Sequence, residues 1–100
     1  MTIYEHKASV TTSGGSVSST SLKIQGGLLR YVLIRSTNAN TTFRAALTDE
    51  DGNTRYAWGF HTGEIMDNEI VLPVTGNYVL DITNASANDD FTVIFSVQES

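Results

Sequence analysis

Apolar side chains recur at every second position along most of this chain. In "TTFRAALT", Phe43, Ala45 and Leu47 alternate with polar or small residues, and "TGNYVLDIT" and "FTVIFSV" repeat the same period of two. No window of about a dozen residues keeps apolar side chains at the i, i+3, i+4 and i+7 spacing of an amphipathic helix. The pattern therefore predicts an all-β protein without a substantial helix.

The alternating segments, about seven or eight in number, follow one another at a spacing of roughly ten residues. This spacing predicts an antiparallel β-sandwich and leaves jelly-roll and immunoglobulin-like strand orders open. With 100 residues the chain forms one domain, residues 1–100, in which residues 1–20 are a candidate extended segment. The period of two predicts these core residues: Leu29, Leu33, Phe43, Leu47, Tyr78, Leu80, Ile82, Phe91, Val93 and Phe95.

Two local signals refine the expected strands. Gly26 and Gly27 predict a turn before residues 28–35, which are apolar on both faces and therefore typical of a central strand covered on both sides. Pro73 has no N–H to donate to a ladder, so "EIVLPV" is expected at a sheet edge or ending at that residue.

The stretch "LTDEDGNTRYAWGF" has two interpretations at its acidic end. The oxygens of "DEDGN" resemble calcium ligands, but an EF-type loop has glycine at its sixth position and a bidentate glutamate at its twelfth. Here the glycine is fourth and Phe60 is twelfth. Asp-Gly between two alternating segments is a strong hairpin signal, so we expect a turn and no metal site.

The aromatic end of the same stretch is also ambiguous. Tyr56, Trp58 and Phe60 share one face of a regular strand, where they serve either as core or as a platform for sugar rings. A small sandwich needs large side chains to fill it, so we expect most of this stripe to be buried, with one exposed aromatic as a contact. Exposure of Trp58 discriminates between the two interpretations, because a buried ring argues against sugar binding and an exposed ring beside Asp or Asn side chains favours it. Tyr56 and Trp58 are the candidate sugar-contacting residues.

Signatures of catalysis are missing from the sequence. It lacks the G-x-S-x-G nucleophile elbow and both glycine-rich phosphate-binding patterns. His6 and His61 have no second histidine at metal-binding spacing. Carboxylate pairs such as Asp89 with Asp90 lie in turn-like, solvated stretches. We expect no enzyme, no catalytic residue, no cofactor and no metal.

Charge and the character of the N-terminus narrow the expected partners. A net charge of −5 is unsuited to binding phosphates, so no nucleic acid is expected. The opening "MTIYEHKASV" lacks the cationic and apolar regions of a signal peptide, and no apolar run is long enough to span a membrane. The expected site of synthesis is the cytoplasm of a cell, with no membrane partner.

Residues 43–97 carry a further pattern: "F-x-x-x-L-T-D-x-D-G", an aromatic strand, "G-E-I", "L-P-V-x-G-x-Y-x-L-x-I" and a closing "F-T-V". This order resembles the small β-sandwich proteins of tailed-bacteriophage virions that decorate or cement capsids, or form head fibres and appendages. The resemblance implies a structural virion protein on the capsid surface, made in the host cytoplasm. Its implied partners are the major capsid protein and its own copies.

Two functional hypotheses follow, a capsid decoration or cement subunit and a carbohydrate-binding module. For the first, the sparsely charged segment 3–12 is a candidate edge strand that pairs with a neighbour, giving a homo-oligomer, either a trimer or a dimer. Ile3, Tyr4 and Val10 are its candidate contact residues. For the second, the contacts are Tyr56 and Trp58.

Overall fold

A computed structural model of the chain describes residues 3–11, 17–83, 85 and 89–99. Its strands are β1 (Ile3–Thr11), β2 (Val17–Ser36), β3 (Thr42–Asp49), β4 (Thr54–Thr62), β5 (Glu64–Asp67), β6 (Leu72–Thr83) and β7 (Asp90–Glu99). Every pairing between them is antiparallel. The all-β prediction is confirmed. None of the described residues forms a helix long and apolar enough to cross a membrane.

The strands follow the order β1-β7-β2-β6-β3-β4, and β5 pairs with β2. The long β2 belongs to both layers. Its residues 17–29 pair with β6, and its residues 27–36 pair with β7, with residues 32–35 also paired to β5. Counting β2 once in each layer gives eight strands in two antiparallel sheets, so the predicted β-sandwich is confirmed. We call β2, β6, β3 and β4 the first sheet, and β1, β7, β2 and β5 the second.

All ten residues that the alternation predicted are buried, each at most 8% exposed. Nine of them belong to the core between the two sheets, and Leu33 is buried on the opposite face of β2. Phe43 of β3 and Phe91 of β7 meet across the layers, with ring centroids 4.8 Å apart and an edge-to-face angle of 72°. Such aromatic pairs stabilise beyond the area they bury. Period-two alternation therefore identified buried residues of β2, β3, β6 and β7 correctly.

The predicted turn at Gly26 and Gly27 is wrong. β2 runs through both glycines without reversing, and the pairing with β6 only shifts its register between Ile24 and Gly27. A Cβ added at Gly27 would collide with the backbone oxygen of Gln98 in β7. Glycine is required at residue 27 because β2 passes from one sheet to the other in close contact with β7.

The other two local predictions are confirmed. Residues 32–35 lie between β7 and β5, with Val32 and Ile34 fully buried and Leu33 8% exposed on the opposite face. Pro73 pairs with Leu28, in the part of β6 that precedes its pairing with β3. At that point β6 has a neighbour on one side only, so a residue without an N–H is tolerated.

Candidate binding face

The segment "DEDGN" is a hairpin turn between β3 and β4, as predicted. The Asp49 Oδ1 atom accepts hydrogen bonds from the backbone N–H groups of Asp51, at 3.0 Å, and Asn53, at 2.9 Å. Gly52 adopts a φ of +84°, which favours glycine. The Asp49 carboxylate is thus occupied in holding the turn and in a 3.7 Å contact with Arg55 Nη1.

Beyond the turn, β4 contains a β-bulge that reverses the direction of one aromatic side chain. Ala45 pairs with Trp58 and Phe43 with His61, so Gly59 and Phe60 together lie opposite Arg44. Two residues opposite one shift the inward and outward alternation by one position. Phe60 therefore lies on the outer face of the first sheet with Arg44, while Trp58 stays on the inner face.

The expectation that most of the aromatic stripe is buried is wrong. Only Trp58 is buried, at 7% exposure, with its indole Nε1 donating a 3.1 Å hydrogen bond to Asp67 Oδ2. Tyr56 is 38% exposed and contacts the Trp58 ring at a centroid distance of 4.9 Å. Phe60 is 59% exposed. Trp58 is therefore unavailable as a sugar platform, and the exposed aromatic of the outer face is Phe60.

Next to Phe60 the outer face of β6, β3 and β4 is hollowed into a shallow depression of about 280 Å³. Ala46 of β3 lies between Ala57 of β4 and Asp81 of β6 in the pairing. The short side chains of Ala46 and Ala57, which lie opposite each other in the pairing, form the floor. The lining consists of Arg44, Ala45, Ala46, Thr48, Thr54, Ala57, Trp58, Asp81 and Thr83. We call the outer residues of this set, together with Phe60, the β3–β4–β6 face.

The charged groups of the β3–β4–β6 face are unpaired. The Arg44 guanidinium carbon lies 5.3 Å from the centroid of the Phe60 ring, within cation–π range. Within the described part of the chain, neither Arg44 nor Asp81 forms a salt bridge. The face thus presents an aromatic surface, a cation, a carboxylate and threonine hydroxyls, all accessible to a ligand.

Sequence reasoning missed this face as a site. The alternation does place Arg44, Ala46 and Thr48 outward on β3 and Asp81 and Thr83 outward on β6. The missing information was that β6 pairs with β3, and that a bulge turns Phe60 outward. Neither follows from the local pattern, because both depend on which strands become neighbours.

The structure separates the three candidate contact residues of the N-terminal strand. Ile3 is 60% exposed, whereas Val10 is 8% exposed and packs in the core, so its side chain is not on the surface of the folded chain. The side chain of Tyr4 lies outside the described residues. The role of this strand in binding a partner stays a prediction.

Among the described residues there is no cluster of three or more His, Cys, Asp or Glu side chains placed to hold a metal ion. Thr41 donates a 2.8 Å hydrogen bond to the buried Asp89 carboxylate, so this acid is part of the folded framework. The expectation that the protein is a metal-free non-enzyme stays a prediction.

No family model matches the chain, and no curated protein sequence matches it. Among solved structures, it is similar to the Yersinia pseudotuberculosis-derived mitogen, with a TM-score of 0.53 and 17% identity. The match covers 99% of this chain and 88% of the mitogen. At this identity the likeness shows a shared fold only.

Two looser likenesses are to carbohydrate-binding modules of the CBM36 type. The CBM36-1 domain of a multidomain xylanase from the hindgut metagenome of Trinervitermes trinervoides matches with a TM-score of 0.47 and 16% identity, covering 95% of this chain and 98% of that one. A CBM36 module in complex with calcium and xylotriose matches at 0.40 and 16%, covering 96% and 98%. None of the three structures is a tailed-phage decoration protein, so that resemblance stays a prediction. The chain is thus an antiparallel β-sandwich that shares its fold with the mitogen.

Proposed function

We propose that this protein is a non-enzymatic carbohydrate-binding module that binds a glycan on its β3–β4–β6 face. The observation that carries the proposal is the exposed Phe60 ring beside a shallow depression whose rim bears unpaired charges. The buried Trp58, which is bonded to Asp67, argues against the platform of Tyr56 and Trp58 predicted from the sequence, so the proposal rests on Phe60 instead.

The chemistry of the face suits a sugar. A flat aromatic ring stacks on the apolar face of a pyranose, and the surrounding hydroxyls need donors and acceptors at the rim. Arg44 supplies N–H donors, Asp81 supplies acceptor oxygens, and Thr48, Thr54 and Thr83 supply both. The alanine floor leaves room for a ring to lie flat against the sheet.

The same lining supports binding without catalysis. Among the described residues that line the depression, Asp81 is the one carboxylate and there is no histidine. Glycoside hydrolysis ordinarily needs two carboxylates on opposite sides of the scissile bond. A ligand bound here therefore contacts the Asp81 carboxylate without a second carboxylate on the other side of it.

The test is to measure binding of the purified protein to a panel of neutral and acidic glycans, before and after Phe60→Ala. Loss of one aromatic stacking contact corresponds to roughly a three- to tenfold weaker affinity. Met66→Ala is the matched control, since Met66 is 57% exposed, close to the 59% of Phe60, but lies on β5 in the other sheet.

The proposal requires that at least one glycan binds, that Phe60→Ala weakens it, and that Met66→Ala does not. If no glycan of the panel binds, or if the two variants weaken binding equally, the β3–β4–β6 face is not a sugar site.

A second candidate function is the capsid decoration subunit that the resemblance implies. The regular outer edge of β1, with Ile3 60% exposed, favours it because such an edge adds readily to a neighbouring strand. Co-sedimentation with purified tailed-phage capsid shells tests this function. Binding that survives Phe60→Ala but is lost on deleting residues 1–12 supports it, and failure to co-sediment refutes it for those capsids.

A further inference from the structure

Four segments are candidates for an open sheet edge, namely β4, β5, β1 and residues 17–24 of β2, which pair with β6 alone in a regular register of eight residues. They differ in length and regularity. β4 pairs only with β3 in the ladder and has two register shifts, which disrupt edge pairing. β5 has only four residues. β1 pairs with β7 in one continuous register from Ile3 with Gln98 to Thr11 with Asp90, without a bulge. Among the described strands, β1 is therefore the longest regular edge.

On its unpaired side, alternate residues of β1 direct their N–H and C=O groups away from β7. A second strand placed there satisfies these groups and extends the sheet. We propose that the occupant is β1 of a second copy of this chain, joined in an antiparallel pair around a two-fold axis. This proposal is independent of the sugar site.

Charge and burial select one register for this pair. Ala8 and Val10 lie on the inner face and Ile3, Glu5, Lys7 and Ser9 on the outer face, so the pairing must align odd residues with odd residues. Registers centred on Glu5 or on Lys7 place like charges directly opposite each other. A register centred on Ala8 places Lys7 opposite Ser9 and leaves both charges uncompensated.

Centring the pair on the backbone of His6 solves this problem. Glu5 of each copy then lies opposite Lys7 of the other, and Ile3 opposite Ser9, across residues 3–9. Within the described part of the chain, neither Glu5 nor Lys7 has a salt-bridge partner of its own. The two-fold axis creates two such opposite-charge pairs, each of which stabilises a cross-strand contact.

The register predicts a charge-exchange experiment. Wild-type protein is expected to be a dimer by light scattering coupled to size-exclusion chromatography at low salt. Lys7→Glu and Glu5→Lys each place two like-charge pairs in the interface, and each is expected to weaken dimerisation by about tenfold. When the two variants are mixed, every pair is again opposite in sign, and a heterodimer of wild-type stability is expected.

Glu69→Lys controls for a change in net charge, since Glu69 is exposed and lies outside β1. Far-UV circular dichroism verifies that each variant is folded. A wild-type monomer or trimer, single variants that dimerise as tightly as wild type, or a mixture that fails to restore the dimer would each overturn the proposed register.

Discussion

At the scale of single residues, a bulge of one residue is enough to leave Trp58 in the core and Phe60 on the surface. Their positions differ by two, so in a regular strand both side chains would lie on the same face. The bulge opposite Arg44 turns Phe60 outward, while Trp58 remains under β5 with its indole N–H bonded to Asp67. Asp67 also accepts a 3.0 Å hydrogen bond from the backbone N–H of Glu69 through its other oxygen.

Removing the Asp67 carboxylate tests this arrangement. Asp67→Ala leaves the buried indole N–H without its acceptor, and an unsatisfied buried donor costs about 1–3 kcal/mol of unfolding free energy. Urea unfolding, followed by the fluorescence of the only tryptophan, measures the loss. Glu69→Ala is the control, because Glu69 contributes its backbone to the bond and not its side chain. Equal stability of the two variants would contradict the assigned role of Asp67.

At the scale of elements, the β3–β4 hairpin divides into a predictable and an unpredictable part. The turn follows from "DEDGN" itself, because Asp49 and Gly52 satisfy local geometry with little help from the rest of the chain. The bulge at Gly59 and Phe60 does not follow from the local sequence, because it is defined by how β4 pairs with β3. The same distinction explains Gly27, whose need for a small residue arises from contact with β7 and not from a turn.

The turn yields a prediction about its own stability. Asp49→Ala removes the acceptor of two backbone N–H groups and is expected to lower the free energy of unfolding by about 1–2 kcal/mol. Asp51→Ala, two residues away, removes an exposed carboxylate and is expected to change it by less than about 0.5 kcal/mol. Thermal unfolding of both variants provides the comparison. A larger loss from Asp51→Ala would mean that a different carboxylate organises the turn.

At the scale of the whole molecule, period-two alternation predicted the fold class and the burial of all ten proposed core residues. It could do so because the alternation is a property of each strand's own sequence. It did not predict that β2 serves both sheets, or the order β1-β7-β2-β6-β3-β4, since strand pairing joins residues far apart in sequence. The β3–β4–β6 face depends on that order, which places Asp81 beside Ala46. The candidate site therefore appeared only once the strands were assembled.

The most direct test of the proposed function is an NMR titration of the isotope-labelled protein with the tightest-binding glycan of the panel. Backbone amide shifts are expected to concentrate at residues that three strands bring together on one outer face, namely Arg44, Ala46, Ala57, Phe60 and Asp81. Amides of β5 and β7, including Met66, are expected to stay unchanged. Shifts that concentrate on the second sheet instead would contradict the proposed sugar site.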